Sequence, residues 1–129
     1  KKVKILFLLF IVFFIISIKS FGEESTPKKP GLPGSSLANI VLQRDTLLGV
    51  YALVGSLNLN CRDISVTNTQ VIQAPRDLLM KNGTYIQGNW QEAWVVNYCG
   101  KQAIVPIKFV LDGKGGAYYH IDPKKVTHN

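Results

Sequence analysis

The stretch WQEAWVVNYCGKQAIVPIKFVLDGKGG, residues 90–116, decides the fold. In 90–99, Trp90, Glu92, Trp94, Val96 and Tyr98 fall on one side of an alternation, with Ala93, Val95 and Cys99 on the other. That is the period of a β-strand. Gly100-Lys101 can turn the chain tightly, and beyond it Val105, Ile107, Phe109 and Leu111 again share one parity. Pro106 marks an edge or a bulge, because it cannot donate to a ladder. Asp112-Gly-Lys-Gly-Gly is turn chemistry, and residues 117–121 close a β-meander. Upstream, Leu57, Leu59 and Cys61 alternate with Asn58 and Asn60, and Ile64 and Val66 continue the pattern, with Val71 and Ile72 extending it. Pro75 is expected to end this strand, residues 76–81 to form a short turn or helical piece, and Asn82-Gly83 to make a tight turn.

Before the strands the spacing changes. Leu37, Val41, Arg44, Leu48, Tyr51 and Gly55 follow a helical period, with Ser35 or Ser36 as N-cap and Gly55 as stop. The segment 37–54 is read as a helix, although Gly49 and the β-branched residues leave a pair of strands open. A meander with one apolar face needs a cover, and this helix is the candidate. The expected fold is therefore α+β, an N-terminal helix packed on an antiparallel β-meander. An all-β sandwich is the alternative. If the helix covers the Trp90/Trp94 face, Trp94 is core and Trp90, near Gly88, is partly exposed.

The 129 residues suit one domain. The net charge of +7 is unevenly placed: residues 1–22 hold Lys1, Lys2, Lys4 and Lys19 and no acid. The remainder carries eleven basic against eight acidic residues, a net +3. That balance is too even for the dense patch a nucleic-acid binder needs, so no nucleic-acid partner is expected. The N-terminal lysines precede an uninterrupted apolar run from Ile5 to Ile16, extended by Ser17 and Ile18, and Ser20 and Gly22 occupy the small-residue positions of a cleavage site. This order is that of a secretory signal peptide over 1–22. The fourteen residues 5–18 rise only about 21 Å as a helix, short of the ~30 Å hydrocarbon core, so no stable membrane anchor is expected after cleavage. Residues 23–36, with prolines at 27, 30 and 33, read as a linker. Residues 37–121 form the domain and 122–129 a flexible tail.

Cys61 and Cys99 are the only cysteines. An even count in an exported chain argues for one disulfide. A zinc site would need further ligands, and His120 and His128 have no metal-ligand spacing. A nucleophilic thiol would need a local base. No metal and no cofactor are expected.

The pattern W-x-E-x-W-x-V-x-x-C-G over 90–100, followed by F-x-x-D-x-x-G-G over 109–116, resembles a family of small uncharacterised exported bacterial proteins. The resemblance spans residues 57–121 and includes Cys61, with Ala117 where the family pattern commonly has Thr. It implies secretion, the disulfide and the strand register, and no activity.

Among candidate groups, Glu92 lacks a second acid for carboxylate catalysis and is expected at the surface or paired with Lys108. Trp90, Trp94 and Tyr98 are an aromatic row that is either core or a binding strip. Together, Trp90, Glu92, Trp94, Asp112 and Lys114 mark the candidate binding surface. The expected function is a non-enzymatic binding or structural module of the bacterial envelope, with a protein partner. The alternative is a secreted inhibitor of a hydrolase such as lysozyme. Intact-mass analysis of the exported protein checks the compartment: the chain is predicted to begin near Glu23 and fractionate as soluble, and a mass retaining residues 5–18 contradicts this.

Overall fold

The computed structural model describes residues 30–129; the signal segment and residues 23–29 of the linker lie outside the described residues. Among the described residues one α-helix, α1 (Ile40–Leu57), precedes four antiparallel strands, β1 (Ile64–Lys81), β2 (Thr84–Tyr98), β3 (Lys101–Asp112) and β4 (Ala117–Ile121). They pair in chain order, and a two-residue strand, β5 (Thr127–His128), adds to β3 beyond β4. The class is α+β and the sheet is a meander.

The central hairpin follows its alternation. Trp90, Trp94, Val96 and Tyr98 of β2 and Val105, Ile107 and Phe109 of β3 are buried on one face, in register Trp90–Phe109 and Trp94–Val105. The Trp90 ring stacks on Phe109 with centroids 5.1 Å apart. The tight turns at Asn82-Gly83 and Cys99-Gly100 each place two successive residues at positive φ, 51° and 77° in the first and 47° and 77° in the second. That twist suits a two-residue hairpin.

The helix covers this face, but with a different side from the stripe at 37, 41, 44, 48 and 51. Leu42, Thr46, Val50 and Val54 face inward with Gln43. Thr46 Oγ1 donates to Leu42 O at 2.6 Å and Gln43 Nε2 to Ala38 O at 2.8 Å, so the polar groups enter the core satisfied. Apolar residues run round the whole helix, and spacing alone cannot choose between two such faces. α1 starts three residues later than expected, at an Asn39 cap whose side chain accepts from Leu42 N. Ser36 instead accepts from Ala38 N in the preceding turn. Gly55 keeps helical backbone and does not stop the helix, which runs to Leu57. At Gly49 the helix passes so close to Tyr119 that a Cβ would lie 2.5 Å from the phenol oxygen.

Three further expectations are corrected. Leu57, Leu59 and Cys61 do not form a strand: Asn58 turns the chain, accepting from Cys61 N at 2.9 Å, and Leu59 is almost fully exposed. Pro75 does not end β1. It sits on an edge strand, where no donor is required of it, and pairing continues to Lys81 through five register shifts. The first shift, between Val66 and Asn68, reverses the parity so that both Val66 and Thr69 are buried. Residues 122–129 are not a free tail, since a 3₁₀ turn at Pro123–Lys125 leads into β5 and Asn129 N donates to Gln102 O.

The described part of the linker also docks. Ser35 N donates to Thr69 O at 2.9 Å, Ser36 N to Thr69 Oγ1 at 3.1 Å, and Thr69 Oγ1 donates to Pro33 O at 2.9 Å. Gly34, at φ 105°, passes so close that a Cβ would lie 2.2 Å from Thr69 O. Buried backbone polar groups need such partners, and Thr69 supplies them at the outer edge of β1.

Cys61 and Cys99 are bonded, with Cα atoms 5.8 Å apart. The bridge ties the chain between α1 and β1 to the β2–β3 turn, reinforced by Cys99 N donating to Asp63 O. The loop spans 38 residues, for which chain entropy gives about 3–4 kcal/mol. Cys61→Ser is predicted to lower unfolding free energy by about that amount in denaturant titration. Thiol titration of the denatured, unreduced protein is predicted to find no free cysteine.

Candidate functional site

Three successive inward positions on β2 carry Trp90, Glu92 and Trp94. Positions two apart on a strand are neighbours on one face, so the carboxylate lies between two indoles. Trp90 Nε1 donates to Glu92 Oε1 and Trp94 Nε1 to Glu92 Oε2, each at 2.8 Å. Leu37 N, entering α1, donates to Oε1 at 2.8 Å. Glu92 is wholly buried. Its neighbours across the sheet are Val71 and Ile107, while Lys108 faces Gln91 and His120. The expected surface position and Lys108 pairing of Glu92 are therefore corrected: the side chain is an internal acceptor of three N–H groups. An acid among apolar strand residues survives burial only through such partners.

Trp94 is fully buried, as the position of the helix requires, and Trp90 is also buried at 7% exposure. The expectation that Trp90 is partly exposed fails because Leu37, clipped by Glu92, and Leu111 stand around it. Neither tryptophan forms an exposed strip.

Trp90 nonetheless borders an apolar concavity. Leu37, Pro75, Leu78, Tyr85, Trp90 and Leu111 line a cleft of about 490 Å³. The long β1–β2 hairpin contributes Pro75, Leu78 and Tyr85 to it. Leu78 is 46% and Tyr85 50% exposed. Leu78, Leu79 and Met80 are three consecutive apolar residues within a strand, which must put at least one on each face. This run was the sequence signal for an exposed apolar surface, obscured by reading 76–81 as a turn.

Asp112 and Lys114 stand at the same end without lining the cleft. Asp112 Oδ1 accepts from Lys114 N at 2.7 Å and Gly116 N at 3.0 Å. Those two backbone donors, the Lys114 one foremost, hold the Asp112 carboxyl below the ordinary aspartate range. Gly113 N donates to Ile86 O at 2.8 Å, fixing the turn against β2. The turn is thus a rigid exposed rim beside Leu111.

Other concavities lie elsewhere among the described residues. One, of about 530 Å³, is formed at the disulfide end by Asp63, Ser65, Asn97, Lys101 and their neighbours. Another, of about 110 Å³, includes Lys108, His120, Asp122 and Lys125. Among the described residues no three His, Cys, Asp or Glu side chains are grouped to hold a metal ion.

Glu92→Ala leaves two indole N–H groups and one backbone N–H in the core without their acceptor. Its unfolding free energy is predicted to fall by about 3 kcal/mol or more, read from denaturant melts. A loss below about 1 kcal/mol would mean that the three donors find other acceptors.

Searches of family models, of curated proteins and of solved structures found no match to the chain.

Proposed function

We propose that the protein is a non-enzymatic binding module of the bacterial envelope, exported to the periplasm or the medium, which grips a protein partner through the apolar cleft beside Trp90. The cleft carries this reading. It sets the exposed walls Leu78 and Tyr85 beside the Trp90 indole, an apolar and aromatic lining in which a partner's anchor side chain is desolvated. The floor is pre-organised, because Glu92 fixes both Trp90 and Leu37, so little ordering cost falls on association. The Cys61–Cys99 bridge is compatible with an oxidising compartment, and the signal pattern over 1–22 supports the same location. The sequence resemblance to exported bacterial proteins agrees with it.

One observation favours the inhibitor alternative. The turn at 112–116 is both exposed and locked by four hydrogen bonds, as an element inserted into a hydrolase cleft would have to be.

Affinity capture from envelope extract separates the two readings. With Leu78→Lys or Tyr85→Lys, both at exposed side chains, the module reading predicts at least about a tenfold loss of partner retention, with Lys114→Ala unaffected. Retention of a hydrolase that is lost in Lys114→Ala and kept in Leu78→Lys supports the inhibitor. A partner insensitive to all three contradicts both.

A further inference from the structure

The side of α1 turned away from the sheet carries Val41, Arg44, Asp45, Leu48 and Ala52, all exposed. Val41 and Leu48, at 60% and 68%, are the most exposed large apolar side chains of the helix. Solvated helix faces are ordinarily polar, and an apolar stripe left open on a soluble domain marks a contact surface.

The order of residues on this stripe is self-complementary. Val41 stands three residues before Arg44, and Leu48 stands three residues after Asp45. Two α1 helices can cross antiparallel about a two-fold axis passing between Arg44 and Asp45. Val41 of each then meets Leu48 of the other, about 5 Å along the helix from the axis. Arg44 of each faces Asp45 of the other, twice by symmetry. A parallel pair would instead set Arg44 against Arg44.

We propose that this face of α1 binds a second copy of the same chain, giving a two-fold dimer layered sheet–helix–helix–sheet. An isologous contact requires one patch to complement itself, and the stripe does so in both apolar position and charge sign. The apolar pairs supply the burial. The Arg44–Asp45 pairs, partly solvated and weak individually, fix direction and register. The charge pattern disfavours a lipid surface, which would place Asp45 among apolar side chains at the headgroup boundary, where basic residues are the rule. The cleft beside Trp90 is a separate surface, so the dimer does not depend on the binding function proposed above.

Sedimentation velocity of the exported protein, as recovered after export, over a wide concentration range tests the dimer. The wild type is expected to sediment as a dimer. Arg44→Asp and Asp45→Arg singly create two like-charge pairs and are expected to weaken it about ten- to a hundredfold. The double reversal Arg44→Asp with Asp45→Arg restores opposite charges across the axis and is expected to restore the dimer. Leu48→Asp is expected to leave a monomer with unchanged helical circular dichroism. A wild type that stays monomeric, an association indifferent to these changes, or a double reversal as weak as the single ones overturns the proposal. Binding of the monomer to anionic vesicles, abolished by Leu48→Asp, would assign the face to lipid instead.

Discussion

The carboxylate of Glu92 holds together parts of the molecule that packing alone would leave free to slide. Its two oxygens accept from the indoles of Trp90 and Trp94 and from the backbone N–H of Leu37. The first two bonds fix ring orientation along β2, and hence the stacking of Trp90 on Phe109. The third pins the approach to α1 against the middle of the sheet. An apolar residue at 92 would pack there but would leave the two indole donors without an acceptor. The acid is retained in the core as an acceptor, and breaking such a constellation costs more than an average hydrogen bond is worth.

A second clip lies close by. Thr69, on the edge strand, receives Ser35 and Ser36 and donates to Pro33. Between Thr69 and Glu92 the backbone N–H groups of Ser35, Ser36 and Leu37 are satisfied before the helix begins, so the helix is delivered to the sheet from a fixed point. The disulfide does the corresponding work after the helix, where Asn58 turns the chain towards β1. α1 is therefore constrained at both ends, and its inner line of Leu42, Thr46, Val50 and Val54 has one place to go. Leu37, displayed by the Glu92 clip, also becomes a wall of the cleft, which connects the stability of the core to the shape of the proposed binding surface.

The strands between 90 and 121 were legible in the sequence because their side chains obey a period of two and their turns carry glycine, although the β2–β3 turn falls at Cys99-Gly100, one residue before the Gly100-Lys101 expected, and β2 begins earlier, at Thr84. β1 was legible only in part. Its bulges shift the parity, and Pro75 looks like an end to anyone who does not know that the strand is at an edge. The helix was readable as a helix, but not its orientation: Gln43 and Thr46 look like surface residues until their partners Ala38, Leu32 and Leu42 are in place. Glu92 was misplaced for a similar reason. Alternation put it on the core face, whereas its charge argued for solvent. What reconciles the two is tertiary, a pair of indoles two residues away on either side and an N–H contributed from 55 positions upstream. The cleft was missed because its walls come from four separate segments, whereas the 112–116 end was marked both as a turn and, through Asp112 and Lys114, as part of the candidate surface.

Amide and indole hydrogen exchange, followed by nuclear magnetic resonance on uniformly labelled protein, tests the Glu92 constraint most directly. The indole N–H protons of Trp90 and Trp94 and the amide of Leu37 are predicted to exchange slowly and at a common rate, through one opening that approaches global unfolding. Fast exchange of either indole in the native protein, or a Leu37 amide that opens independently of them, would contradict it.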